Sequence, residues 1–148
     1  MGFRFSLETV LRVRRSLEDS ERLRLQSLLS ERAQLQTRIS ETIASRAALG
    51  DNLNGLLKNE SLSGGEMQFA VQRRKACDLQ IARLNASVTT LSQQIERQQA
   101  VLLRRRLDRK VLEQLQTRQL TRYEADMQHR TQSQVEEMFL LRWERKSS

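Results

Sequence analysis

Few residues of this 148-residue chain are of types that do chemistry, and their spacing does not suit it. His129 is the sole histidine and Cys77 the sole cysteine, so neither a histidine pair nor a multi-thiolate metal site can be built. One cysteine also excludes an internal disulfide, which fits a reducing compartment. Cys77 stands one turn before Ile81 on an apolar stripe, where a thiol packs as a small hydrophobe rather than acting as a nucleophile. Gly64-Gly65 lacks the further glycines and the Lys-Ser/Thr of a phosphate-cradling loop. Glu136 and Glu137 are neighbours on a helical stretch and point in different directions, unsuited to paired acid–base work. The residues therefore predict no enzyme, no cofactor and no metal.

Charge is the sharpest local signal. The chain carries 26 Lys and Arg against 18 Asp and Glu, a net charge of +8. The excess lies mainly in the second half and is densest in Arg104-Arg105-Arg106 with Arg109-Lys110, a candidate docking face for an acidic partner. A solvated basic helix face is the plainer explanation of such a run. Nucleic acid is the weaker partner class, because no aromatic suited to base stacking accompanies the cluster and the basic run is short.

The elements that must carry these residues are long helices. Proline is absent, aromatics make up 4% and charged residues 30%, so a two-sided globular core has little material. The apolar residues that do occur are periodic, which argues against disorder. From Met67 a seam runs at steps of three and four through Ala70, Arg74, Cys77, Ile81, Leu84, Val88, Leu91, Ile95, Gln98 and Leu102, the period of a left-handed coiled coil. Strict register then puts Arg105 and Arg109 on the seam, where it should weaken before Leu112. A matching ladder comprises Leu25, Leu28, Leu35, Ile39, Leu49, Leu53 and Leu56, interrupted by Arg32, Thr42 and Arg46. Polar seam residues such as Arg32, Arg46 and Gln98 are expected to fix register rather than bind ligands. Phe3, Leu7, Val10, Leu11 and Leu17 read as a separate cluster, out of phase with the ladder.

One interruption, residues 59–65, reads as a turn. Ser63 with Glu66 makes a capping box after it, and Leu62 with Met67 a hydrophobic staple. Near the start Ser6 caps, Glu8 suits the helix dipole, and Phe5 and Val10 form the staple pair. The prediction is an all-α protein: one antiparallel two-helix coiled-coil hairpin over 1–148, with helix one about 6–58, a turn about 59–64 and helix two about 65–143. At 1.5 Å per residue the arms are about 80 and about 120 Å long, so helix two overhangs. On the overhang Met138, Phe139, Leu141 and Trp143 have little cover and suggest insertion into another body. Phe69, just past the turn, is a candidate partner contact. No stretch approaches the roughly 20 apolar residues of a membrane span, and no signal segment opens the chain, so the sequence predicts a cytoplasmic protein.

These features add up to a family resemblance over nearly the whole chain. The opening Phe3-Arg4-Phe5-Ser6-Leu7-Glu8-Thr9-Val10-Leu11-Arg12-Val13-Arg14 resembles the start of the flagellar export protein FliJ family. Met67-Gln68-Phe69, Arg109-Lys110-Val111-Leu112-Glu113-Gln114-Leu115, Tyr123-Glu124 and Val135-Glu136-Glu137-Met138 match further family segments in order. The resemblance implies a fold and role like the central stalk of a rotary ATPase. Its partners would be a hexameric flagellar export ATPase, the cytoplasmic domain of the export gate, and export chaperones. The protein would then lie in the cytoplasm, peripheral to the inner-membrane export apparatus through those partners. Carried over, the ring contact comprises Phe5, Leu7, Leu11, Met138, Phe139 and Leu141, and the gate contact Leu49 and Phe69. Thr42 and Ser45 stand where the family often has aromatics, a departure that bears on the gate contact. Three alternatives stay open at this level: a stalk of a virulence type III secretion system, a self-associating coiled-coil scaffold, and a basic nucleic-acid binder.

Overall fold

The computed structural model describes residues 2–58 and 64–147, apart from the side chains of residues 56 and 57. It contains two helices, α1 over Glu8–Lys58 (51 residues) and α2 over Gly64–Ser147 (84 residues), and no strand among the described residues. They pack as an antiparallel helical hairpin, the predicted fold class. The 59–63 part of the expected turn, the Ser63 cap, the Leu62 staple and the Leu56 rung lie outside the described residues. α1 is entered through a turn in which the Glu8 amide donates to the Phe5 carbonyl at 3.1 Å. Phe5 packs with Leu11 and Leu112 instead of with Val10, which is exposed.

Packing divides into two compact units: residues 1–19 with 103–148, and residues 20–102. In the second unit the seam of α2 buries Leu84, Leu91, Ile95, Gln98 and Leu102, with Cys77, Ile81 and Val88 half-covered. Its α1 face is half-buried at Leu25, Leu28, Arg32, Leu35, Ile39, Thr42, Arg46, Leu49 and Leu53. Leucine and isoleucine at these steps stabilise the pair by leaving water at roughly 25 cal/mol per Å² of apolar surface. Arg74 is exposed despite its seam spacing, as is Met67, so this stripe is least covered where α2 begins.

The first unit has its own core of Phe5, Leu11 and Leu112, with Phe3, Leu7 and Leu115 packed against it. Here the sequence expectation needs correcting. Leu7 and Leu11 are not out of phase: steps of three and four lead from them through Arg14, Glu18 and Glu21 to Leu25, and all of these are buried or half-buried. The ladder looked broken because its intervening rungs are charged. Val10 and Leu17, by contrast, sit beside the seam and are exposed. The α2 seam likewise continues past Leu102 through Arg105, Arg109 and Leu112 to Gln116, Gln119 and Tyr123. In heptad terms Leu11 and Glu18 of α1, and Arg109 and Gln116 of α2, are a positions, while Leu7, Arg14 and Leu112 are d positions.

Candidate functional site

The charged rungs of the first unit are matched across the helices. Glu18 is buried, with a side chain 3% exposed, and its carboxylate accepts from the guanidinium of Arg109, including Arg109 Nη2 at 3.4 Å. Arg106 lies 3.6 Å from the same carboxylate. Arg109 Nη1 also donates to Glu113 at 2.8 Å, and Arg15 reaches Glu113 at 3.3 Å. Arg14 donates to the Asp108 carbonyl at 2.8 Å, and the Gln116 amide to Glu8 at 3.2 Å. Hydrogen bonding to Glu18, then Glu113, raises the Arg109 pKa above its ordinary value. Hydrogen bonding from Arg109, with a smaller part from Arg15, lowers that of the Glu113 carboxyl. A guanidinium fork facing carboxylates is the geometry that lets a coiled-coil seam hold charge.

This network divides the predicted basic docking face. Arg109 and Arg106 are engaged with Glu18 inside the unit, and Arg105 is half-buried, leaving Arg104 and Lys110 exposed. The predicted ring-contact set divides too. Phe5, Leu7 and Leu11 lie in the internal core, Leu11 being fully covered, so these three hold the two helices together. Met138, Phe139 and Leu141 are exposed, together with Val135, Leu140 and Trp143. Val135, Phe139 and Trp143 follow at four-residue steps and so share one helix face. Phe3 and Tyr123 meet at a centroid distance of 5.6 Å, tilted by 48°. Beyond Tyr123 every described α2 residue is exposed except half-buried Ser133.

In the second unit, Leu49 and Phe69 are brought to one groove of about 510 Å³, which Leu53, Ala70 and Arg73 also line. Phe69 is exposed and Leu49 half-buried. A neighbouring groove of about 700 Å³ places Thr42, Ser45 and Cys77 along the same helix pair. The polar seam residues of this unit are pinned across the helices: Gln98 donates to the Glu21 carbonyl at 3.1 Å and to its carboxylate, and Arg46 pairs with Asp78. The acids Glu18, Asp78 and Glu113 that partner the seam arginines, and Glu21 that accepts from Gln98, were not given pairing roles from the sequence. Glu18 was findable, since it stands at ladder spacing between Leu11 and Leu25.

Among the described residues there is no cluster of His, Cys, Asp and Glu that could hold a metal ion, and no helix long and apolar enough to cross a membrane. Searches of curated proteins and of solved structures each found no match. A family model described as "Flagellar FliJ protein" matches residues 3–148. A match of that extent, over a charged-seam helical hairpin, shows that the chain belongs to the flagellar FliJ protein family and is a component of flagellar protein export.

Proposed function

We propose that this chain is a non-enzymatic stalk that couples the hexameric flagellar export ATPase to the export gate. The observation that carries the reading is the far end of α2, where Val135, Met138, Phe139, Leu141 and Trp143 are all exposed after the last packed aromatic, Tyr123. Contiguous exposed apolar surface on a soluble helix marks a site that another body covers. The ring contact is assigned to Met138, Phe139 and Leu141, with Phe5, Leu7 and Leu11 supporting it from within by clamping α1 to α2. The groove holding Leu49 and Phe69 is the gate contact, and Arg104 with Lys110 gives attraction for acidic partner surface. Escort of export chaperones belongs to the same role. The protein works in the cytoplasm, at the inner-membrane export apparatus through its partners and without nucleic acid.

Deleting residues 135–148 should abolish stimulation of ATP hydrolysis by the export ATPase. The unfolding temperature of the remainder should hold, because the removed residues that the structure describes, 135–147, are exposed. Full stimulation by the shortened protein would remove the C-terminal assignment. Light scattering should report a monomer. A concentration-dependent dimer, or DNA retained at physiological salt, would instead favour the scaffold or nucleic-acid readings.

A further inference from the structure

The two flanks of the seam in the first unit differ in kind. Arg15 and Glu113, both at e positions, pair across the helices, so the e residues of both helices share one flank. That flank is closed electrostatically by the Arg15–Glu113 pair, the Arg109–Glu113 pair and the contact of Arg106 with Glu18. The g residues must then share the opposite flank, and c and f residues border it. On that side α1 places Val10, Val13 and Leu17, and α2 places Leu107 and Val111. All five are exposed: Val13 by 53%, Leu107 by 53% and Val111 by 62%.

Cations frame this apolar strip. Arg104 and Arg118 occupy c positions two heptads apart with Val111 between them, both are exposed, and neither enters an ion pair among the described residues. The one acidic side chain at the g and c positions between 103 and 122 is Asp108. A hairpin that neutralises one flank internally and leaves the other apolar and cationic is complementary to a helix with an apolar stripe bordered by carboxylates. We propose that this flank receives an acidic amphipathic helix from a partner protein, which packs as a third helix beside Val13 and Val111 while its acids meet Arg104 and Arg118. A second copy of this chain is a poorer occupant, because its own flank is equally cationic.

The site is separate from the exposed residues 135–147, so its fate and that of the ring assignment are distinguishable: the shortened chain should bind a flank ligand as the full chain does. The test uses the full chain and a labelled synthetic helix of about 20 residues carrying leucines at heptad spacing flanked by glutamates, with a control peptide in which lysines replace the glutamates. Anisotropy should show salt-weakened binding of the glutamate peptide and none of the lysine peptide. Arg104→Glu with Arg118→Glu, and separately Val13→Asp, should each weaken binding roughly tenfold or more. Both variants change exposed side chains, so their circular dichroism and melting should match the parent. Absent binding, equal binding of both peptides, or indifference to these variants would overturn the proposal. So would a concentration-dependent dimer of the parent that Val13→Asp dissolves, since the occupant would then be a second copy.

Discussion

Glu18 shows how a single side chain decides what its neighbours are for. Its buried carboxylate turns Arg109 and Arg106 from candidate docking cations into internal partners. Removing it by Glu18→Ala leaves Arg106 without that carboxylate and Arg109 with Glu113 alone. Breaking a fully buried pair costs about 3–5 kcal/mol, and the partial exposure of both arginines reduces the expected loss to about 1–3 kcal/mol by urea unfolding. Replacing both partners, Glu18→Leu with Arg109→Leu, should be neutral or stabilising, because a leucine layer carries no desolvation cost. Glu113 supplies a pH signature. Its carboxyl is held below its ordinary value of 4.5, chiefly by Arg109, so its contribution is fully present above 4.5 and is lost as pH falls through the lowered value. The raised Arg109 guanidinium stays charged over that whole range. Melting of Glu113→Gln should therefore lie below that of the parent at neutral pH and converge with it in acid; a gap that persists at low pH would assign the loss to packing.

At the scale of the helices, stability should track the seam and ignore the outer faces. Ile95 is 2% exposed in the second unit, and Ile95→Ala should cost about 2–5 kcal/mol through lost burial and the cavity left behind. Leu79, on the same helix and exposed, should tolerate alanine to within about 0.5 kcal/mol. Equal losses at both positions, measured by chemical unfolding, would mean that α2 is buried on another face. Gln98 and Arg46 act at this scale as well. Each finds its acid partner at one pairing only, Glu21 and Asp78 respectively, so a slip by one heptad strands both. Disulfide trapping of slipped pairs should rise when Gln98→Leu and Arg46→Leu are combined, even where melting does not fall.

For the whole molecule the fold class and the family membership stand together. The helices of a hairpin run about 8–10 Å apart between axes, so spin labels at positions 28 and 95, both in the second unit, should give a short distance within one molecule. A long or absent distance, or one that vanishes on dilution with unlabelled protein, would replace the hairpin with an intermolecular pairing. The match to the flagellar FliJ family removes the virulence-secretion reading that the sequence left open, while the ring, gate and chaperone contacts stay with the proposed stalk.

The periodic apolar residues determined by themselves that the chain is helical and which α2 residues from Leu84 to Leu102 are covered, since a 3.5-residue repeat keeps one stripe toward a partner. The interruption at 59–65 predicted that the chain doubles back. The opening Phe3-to-Arg14 segment, with the later matching segments in order, carried the family resemblance. Tertiary structure alone decided the use of the charged residues and of the terminal apolar ones. Arg109 on a seam reads as a weak point until Glu18 is seen opposite it, and Phe5 and Leu11 read as available until Leu112 covers them. Periodicity reports which side of a helix is apolar. It carries no information on which residue of a distant segment lies across from it, and that pairing separates a buried ion pair from a docking face.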